Sequence, residues 1–346
     1  MSGGTAVNDS FTHRVLPYDG VDQFLGGALP FLLDGVDAGD RVLAVCGTAR
    51  ETLLRDELGA AAAADVEFTD ASAWYGHPSK TLADCLSDAD DTAWQGRRLR
   101  VLGDPVWTSR SPLEVAEWQR VEAVLNVAFR GTGASVLCPY AATLPAGVVA
   151  AARKTHPETV RGALSMANPG FVDPWAYCAQ CDREPLPKPP PEADVFKIDQ
   201  PDLFWLRAYV SEYARRTPLP EEGLQRLLVA VTEVVTNALR HGEPPIVLRM
   251  WTDARDGDPA FVCEVSDGGR WPPGTGYGLI PPSSGTAGAG HDDRSGGRFG
   301  LWAVRLLCSI VQIRTGDTGS VVRMRLALPA PAAPGTTAAP DAMDGA

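Results

Sequence analysis

Glu233, Asn237 and His241 recur at intervals of four in VAVTEVVTNALRHG, residues 229–242. In a helix this spacing stacks the three side chains along one face. A carboxylate and a carboxamide one turn apart suit a metal–phosphate centre. The amide oxygen is a hard ligand fitted to magnesium, and the carboxylate can orient or deprotonate a nucleophile. The plainer reading of the same pattern is a surface helix with a solvated polar face.

The residues that follow favour the chemical reading. Residues 261–269, FVCEVSDGG, form a β-rich run ending in Asp267, Gly268 and Gly269, a turn signal. An Asp at the end of a strand can accept a hydrogen bond from a base amino group, and the glycines beside it let the backbone come close. A Gly-, Pro- and Ser-rich loop of about thirty residues, 270–298, comes next; that length marks a lid or a disordered segment. GGRFGLWAVRLL, residues 296–307, opens with glycines and continues as an apolar helix. Backbone N–H groups at such a helix start can hold phosphates.

Several elements must carry these residues. Leu224, Leu227, Leu228, Val231, Val234, Val235 and Ala238 form the apolar stripe of an amphipathic helix. Upstream, residues 183–193, REPLPKPPPEA, hold five prolines in eleven positions and predict a semi-rigid spacer. The spacer divides a first domain, 11–180, from a second, 194–328. Residues 1–10 and 329–346 carry few large apolar side chains and are expected to be disordered.

The first domain alternates helix and strand patterns. An amphipathic segment at 21–33 precedes a buried strand at 41–46, and a helix follows at 51–58. Strands at 66–68 and 98–103, a long helix at 112–129 and a strand at 134–140 complete the series. This rhythm predicts a mostly parallel sheet covered by helices. The sequence contains no G-x-x-x-x-G-K-[ST], and Gly47-Thr48-Ala49-Arg50 after the first of these strands is no phosphate loop.

The length of 346 residues suits two domains, and 45% hydrophobic content supplies their cores. A net charge of −12 argues against non-specific nucleic-acid binding. No apolar run is long enough to span a bilayer, and the N-terminus lacks a signal-peptide core, so a cytoplasmic location without a membrane partner is expected. The seven cysteines are scattered and mostly sit in apolar contexts. Cys178 and Cys181 make one isolated C-x-x-C, read either as coincidence or as a redox or metal pair.

Taken in order, the helix with E-x-x-x-N, the strand ending in D-x-G, the loop and the glycine-led helix resemble the GHKL ATPase superfamily of gyrase, Hsp90, histidine kinases and MutL. Within it they look most like the RsbW-like anti-sigma serine kinases. The resemblance covers 195–328. It implies an α/β sandwich, with helices on one face of a mixed sheet, that holds ATP and Mg²⁺ between helices and lid. Carried over by residue, it implies Glu233 as general base and Asn237 as magnesium ligand. Asp267 would bind the adenine amino group with Gly269 beside it. Gly297, Arg298, Gly300 and Leu301 would form the phosphate-side end of the lid and the next helix. His241 falls in the family's N-A-x-x-H-G stretch and reads as a packing residue. Trp271 and Arg298 stand where the family has glycine, although an Arg near a triphosphate can compensate by charge.

WYGHPSKTL (74–82), LGDPVW (102–107), EWQRVEAVLN (117–126), LCPY (137–140) and KTHPE (154–158), with His13 and Tyr18, resemble the MEDS sensory domain over 11–165. That resemblance implies a RecA-like parallel α/β fold that senses small hydrocarbon-type ligands. Open α/β sheets bind ligands at strand C-termini, which nominates Tyr75, His77, Trp107, Glu117 and Tyr140. Ordinary core aromatics and a turn at His77 are the alternative.

The combination implies an anti-sigma regulatory protein. It would sequester a sigma factor, phosphorylate Ser/Thr of a STAS-type anti-anti-sigma partner, or both, under control of a sensed ligand. The anti-sigma resemblance suggests a homodimer. Two alternatives stand: a non-catalytic sigma-binding scaffold, favoured by Trp271 and Arg298, and a sensor histidine kinase phosphorylated on His77 or His156. The histidine kinase needs a two-helix segment before the ATPase domain, where this chain has proline.

Overall fold

The computed structural model describes residues 10–198, 202–254, 259–271, 276–282 and 297–329, leaving aside the side chains of Gly297 and Arg298. The termini expected to be disordered, except Ser10 and Pro329, and most of the expected lid lie outside these residues.

The first domain runs β1 (Thr12–Tyr18), α1 (Val21–Asp37), β2 (Arg41–Cys46), α2 (Thr48–Ala64), β3 (Val66–Asp70), the single turn α3 (Ala71–Trp74) and α4 (Pro78–Trp94). It continues with β4 (Leu99–Gly103), α5 (Pro112–Ala128), β5 (Ser135–Ala141), α6 (Ala146–Thr155), β6 (Glu158–Arg161), β7 (Leu164–Ala167) and α7 (Pro174–Cys181). Its sheet has the order β3-β2-β4-β5-β1-β6-β7. The pairs from β3 to β6 are parallel, and the β6–β7 hairpin is antiparallel.

Strand alternation builds a core on each face of this sheet. Val15, Leu43, Val45, Val101, Val136 and Cys138 face one cluster, with Val121 and Val124 of α5. Leu16, Val42, Ala44, Leu102 and Leu137 face the other, with Phe24, Phe31 and Leu54 of α1 and α2. A capping box starts α5: Ser111 Oγ accepts from Glu114 N–H, and the Glu114 carboxylate accepts from Ser111 N–H at 2.9 Å. This start sets the rotation of α5, on which Glu117 and Glu122, five residues apart, emerge about 140° from one another.

The second domain contains β8 (Asp194–Ile198), α8 (Leu203–Ala214), α9 (Glu221–His241), β9 (Ile246–Asp253) and β10 (Ala260–Asp267). A 3-10 turn (Gly276–Gly278), α10 (Gly297–Leu307), β11 (Ile310–Gly316) and β12 (Gly319–Ala327) complete it. The strand order is β11-β12-β10-β9-β8, and every pair is antiparallel. The expected mixed sheet is therefore corrected: β9–β10 and β11–β12 pair as sequence neighbours, and the α8–α9 excursion returns the chain antiparallel to β8. Leu224, Leu227, Val231, Val234, Val235 and Ala238 of α9 pack with Leu206, Val210, Val304 and the inner face of the sheet.

The proline-rich segment is docked rather than free. Arg314 Nε donates to Glu184 O at 2.7 Å, and Arg323 Nη2 donates to Pro187 O at 2.7 Å. No helix among the described residues is long and apolar enough to cross a membrane.

Candidate functional site

The apolar stripe of α9 turns toward the sheet and leaves Glu233 and Asn237 at its edge, beside α10. Asn237 is only 9% exposed, and its Nδ2 donates to Glu233 Oε1 at 3.2 Å. That bond uses the amide nitrogen and leaves Oδ1 to act as a ligand. His241 is exposed at the last residue of α9, which corrects the expected packing role. Each i,i+4 step overshoots a full turn by about 40°, so two steps carry His241 about 80° away from Glu233.

At the C-terminal end of α9, Asp267 closes β10. Its buried carboxylate accepts from Gly269 N–H at 2.8 Å. A Cβ on Gly242 would lie 2.5 Å from Asp267 Oδ1, and one on Gly269 would lie 2.8 Å from Gly242 Cα. Glycine at both positions lets the helix end and the strand end interlock around the carboxylate. Burial raises the Asp267 pKa, against the lowering effect of the Gly269 and Glu243 N–H groups.

The start of α10 meets Glu233. A Cβ on Gly300 would overlap the Glu233 carboxylate. Leu301 packs on the domain core, and Gly278, at φ +72°, has its Cα so close that a Cβ would sit 2.6 Å from the Leu301 carbonyl carbon. The structure thus brings Glu233, Asn237, Gly300 and Leu301 together, with Asp267 and Gly269 at the far end of α9. Along α9, Asn237 and Gly242, which meets Asp267, are five residues apart, about 7.5 Å. Gly297 and Arg298 open α10. Trp271 does not hang in the loop: it packs on the core, edge-on to Tyr277 at 5.4 Å, and its backbone N–H donates to Thr315 Oγ1 at 3.0 Å.

The five nominated sensory residues divide. Tyr75, Trp107 and Tyr140 are members or neighbours of one buried cluster, with Tyr75 edge-on to Trp118 and Trp107 tilted on Tyr140. Tyr140 also lines an 840 Å³ cavity beside Pro17, Tyr18, Arg153 and Asn168, at the C-terminal ends of β1 and β5. His77 and Glu117 instead reach the second domain. His77 Nδ1 accepts from Lys80 N–H, so Nε2–H donates to Cys308 O at 3.0 Å. Cys178 and Cys181 are free thiols on α7, both pushed up in pKa by burial, Cys178 to about 12.

Two family profiles match this chain. One, the methanogen/methylotroph, DcmR sensory (MEDS) domain, matches residues 12–157. The other, the histidine kinase-like ATPase domain, matches residues 200–326. The chain joins a MEDS domain to a histidine kinase-like ATPase domain. No curated protein gives a significant match. Among solved structures, the chain is similar to the RsbU and RsbW domains of Rv1364c from Mycobacterium tuberculosis, at 17% identity over 41% of this chain and 33% of that one, with a TM-score of 0.28. It is also similar to a blue-light activated histidine kinase from Erythrobacter litoralis, at 20% identity over 36% and 40%, with a TM-score of 0.25. A third is the histidine kinase domain of the E. coli osmosensor EnvZ, at 16% identity over 42% and 95%, with a TM-score of 0.23. The chain spans about a third of the length of the first of these, 33%.

The MEDS domain grips the ATPase domain through α10. Arg305 is buried; its Nη1 lies 3.4 Å from Glu117 Oε2, and its Nε donates to Tyr277 O at 3.0 Å. Glu117 also accepts from Arg120 at 2.5 Å, and Asp182 accepts from both Arg120 and Arg314, at 2.5 and 2.7 Å. Trp302 and Leu279 of the ATPase domain lie within the MEDS-side hydrophobic cluster. Sequence reasoning missed Arg305. Its only signal is a charge inside the apolar run LWAVRLL, and an unpaired buried arginine would be costly.

Proposed function

We propose that this protein is a cytoplasmic anti-sigma regulator whose ATPase domain binds ATP and Mg²⁺ under control of a ligand sensed by the MEDS domain. It acts by sequestering a sigma factor, by phosphorylating Ser/Thr of a STAS-type anti-anti-sigma partner, or by both. The observation that carries the reading is the Glu233–Asn237 pair facing Gly300 at the start of α10.

The residues fit the nucleotide and its metal. Asn237 offers a hard oxygen, and its amide nitrogen is already committed to Glu233. Asp267 offers a carboxylate in a cradle that a Cβ on Gly242 or Gly269 would fill. ATP supplies the phosphoryl group when bound, and Mg²⁺ neutralises its charge. Asn237 would hold the cation, and Asp267 would orient the base by accepting its amino hydrogen. Glu233, positioned by Asn237, would take the proton of the partner's hydroxyl. The first N–H groups of α10 would face the phosphates.

Control by the MEDS domain is supported by the Glu117–Arg305 contact, because α10 both begins beside Glu233 and carries Arg305. A sensed ligand acts only if it binds two arrangements of this junction with different affinity. His156 is fully buried and His77 is committed to Cys308 O, an arrangement that disfavours either as a histidine-kinase phosphoacceptor.

The test is calorimetric titration of the full chain with ATP–Mg²⁺, beside Asn237→Ala, Asp267→Ala and Glu233→Gln. Binding should be lost in the first two. Glu233→Gln should keep binding and lose transfer to a STAS-type partner. A folded wild type that binds no nucleotide would overturn the kinase reading and leave sigma capture by a scaffold. Acid-labile phosphohistidine after incubation with ATP would instead mark a histidine kinase.

A further inference from the structure

Four side chains that the nucleotide site does not use converge inside the MEDS domain. His13 comes from β1, Glu122 from α5, Cys138 from β5 and His156 from the residue that ends α6. All four are buried, both histidines at 0% exposure. Their donor atoms lie within 4.8 Å of one another. The parallel register of β1 and β5 sets Cys138 beside Val15, so Cys138 and His13 emerge on the face that α5 covers.

The surrounding hydrogen bonds fix which atoms point inward. His156 Nδ1 lies 2.9 Å from Ala152 O, which can only accept, so Nδ1 carries a hydrogen, and the neutral ring presents its lone pair on Nε2. His13 Nδ1 lies 3.2 Å from Asn126 Oδ1. Asn126 Nδ2 donates to Ala123 O and Thr155 O at 3.0 and 2.7 Å, so the amide cannot be turned and its oxygen must face His13. The neutral His13 ring therefore presents a bare Nε2 as well.

Both bare nitrogens face one carboxylate oxygen. Glu122 Oε2 lies 3.2 Å from His13 Nε2 and 3.3 Å from His156 Nε2. Cys138 Sγ lies 3.6 Å from His13 Nε2 and 3.8 Å from Glu122 Oε2. His156 Nε2 lacks any hydrogen-bond geometry to a partner although it is buried. With neutral rings, three electron-rich atoms and a sulfur converge on one point. Uncompensated lone pairs at these separations repel in a dry interior, and a cation among them removes the repulsion.

The spacing identifies the cation's class. Tetrahedral zinc, with bonds of about 2.05 Å to nitrogen or oxygen and about 2.3 Å to sulfur, needs N···O edges of about 3.3 Å and edges to sulfur of about 3.6 Å. The four separations above match these edges to within about 0.2 Å, and the other two, from His156 Nε2 to His13 Nε2 and to Cys138 Sγ, are no longer than 4.8 Å. We propose that His13 Nε2, Glu122 Oε2, Cys138 Sγ and His156 Nε2 form a tetrahedral site for a divalent transition metal of the zinc class.

Imidazole and thiolate donors disfavour magnesium and calcium and suit zinc. Asn126 Oδ1 and Ala152 O play the supporting part that metal-bound histidines require, accepting the hydrogen of the far ring nitrogen. Binding breaks the Cys138 S–H bond, forms the sulfur–metal bond and releases that proton to solvent. With four protein ligands the site is closed and clasps β1, β5, α5 and the end of α6. The same α5 carries Glu117 to the junction with α10, and Tyr140, its ring centroid 5.6 Å from that of His156, also lines the 840 Å³ cavity.

The test uses the full chain, purified without chelator, exposed to zinc, dialysed and measured by elemental analysis. About one zinc per chain is expected. Exchange for Co²⁺ should give the visible bands of a tetrahedral ion and a near-ultraviolet thiolate-to-cobalt band. Cys138→Ser should lose the thiolate band, and His156→Gln should lose the metal. The Cys178→Ser/Cys181→Ser double variant should keep both metal and band, and it decides the origin of the sulfur if Cys138→Ser fails to fold. Wild type without zinc overturns the proposal. So does a thiolate band that survives Cys138→Ser or disappears with the double variant.

Discussion

Gly300→Ala tests whether Glu233 works where the structure puts it. An added Cβ would overlap the Glu233 carboxylate, with Cδ and Cγ at 2.5 and 2.9 Å. Two relaxations are open. Glu233 can swing away and give up its bond from Asn237, worth about 1.5–3 kcal/mol for a charged acceptor. Alternatively, α10 can retreat by roughly 1 Å and loosen its contact with Gly278. Against either cost, alanine gains about 1 kcal/mol over glycine inside a helix. The net effect on folding is about 2 kcal/mol or less, so the melting temperature should move by only a few degrees, roughly 2–4 °C per kcal/mol at this domain size. Catalysis should respond far more, because a displacement of about 1 Å costs roughly 10²-fold in rate. The assay is steady-state ATP turnover by the full chain with Mg²⁺, beside a thermal melt. Gly316→Ala is the matched control, since its Cβ would meet nothing within 4 Å. A folded Gly300→Ala chain turning over within about twofold of wild type would refute the assignment of Glu233 as the base.

Asp267 predicts a pH dependence. Burial raises its folded pKa, so ATP affinity should be full above that value and fall as pH drops through it, above the ordinary aspartate range. Stability has the opposite sign, because the native state holds this proton more tightly than the unfolded chain and the carboxylate's cost is relieved on acidification. Calorimetric Kd against pH should slope for wild type and be flat and weak for Asp267→Asn; parallel profiles would remove Asp267 from the site. At the domain junction, Arg305→Met leaves Tyr277 O and Val311 O without its donors and breaks a buried ion pair. The expected loss is about 3–5 kcal/mol, or roughly 10 °C in Tm, partly recovered by Glu117→Gln in the same chain. A single variant that melts with wild type would show the junction to be unimportant for stability.

The elements that carry the candidate site residues are legible in the sequence where local spacing decides them. Glu233 and Asn237 are one turn apart on a strongly patterned helix, and Asp267 is marked by a strand ending in glycines; the structure puts all three where local rules would. His241 was misjudged because a four-residue step does not repeat the helix face indefinitely. β1 escaped notice because a buried histidine and a partly buried arginine break its apolar pattern. Its partners are equally remote: His13 and Cys138 are 125 residues apart, and nothing local relates them. The proline-rich segment announced its extended form, but its docking depends on Arg314 and Arg323 from strands far downstream. Glu117 and His77 are visible as unusual residues in the sequence. Only the packed chain shows that they reach across to α10 and Cys308 O.

Trp302 and Leu279 have a consequence for where one folding unit ends. Composition draws the border at residues 183–193, but packing draws it inside the second domain, because both side chains complete a hydrophobic cluster built mainly by the first. Excising the ATPase half would strip cover from an indole that buries roughly 200 Å², a loss of several kcal/mol, and would leave Arg305 without Glu117. The stability of each half is therefore coupled to the other. Unfolding of the first half would uncover Trp302 and remove Glu117 from Arg305, so damage there lowers the stability of the second half as well.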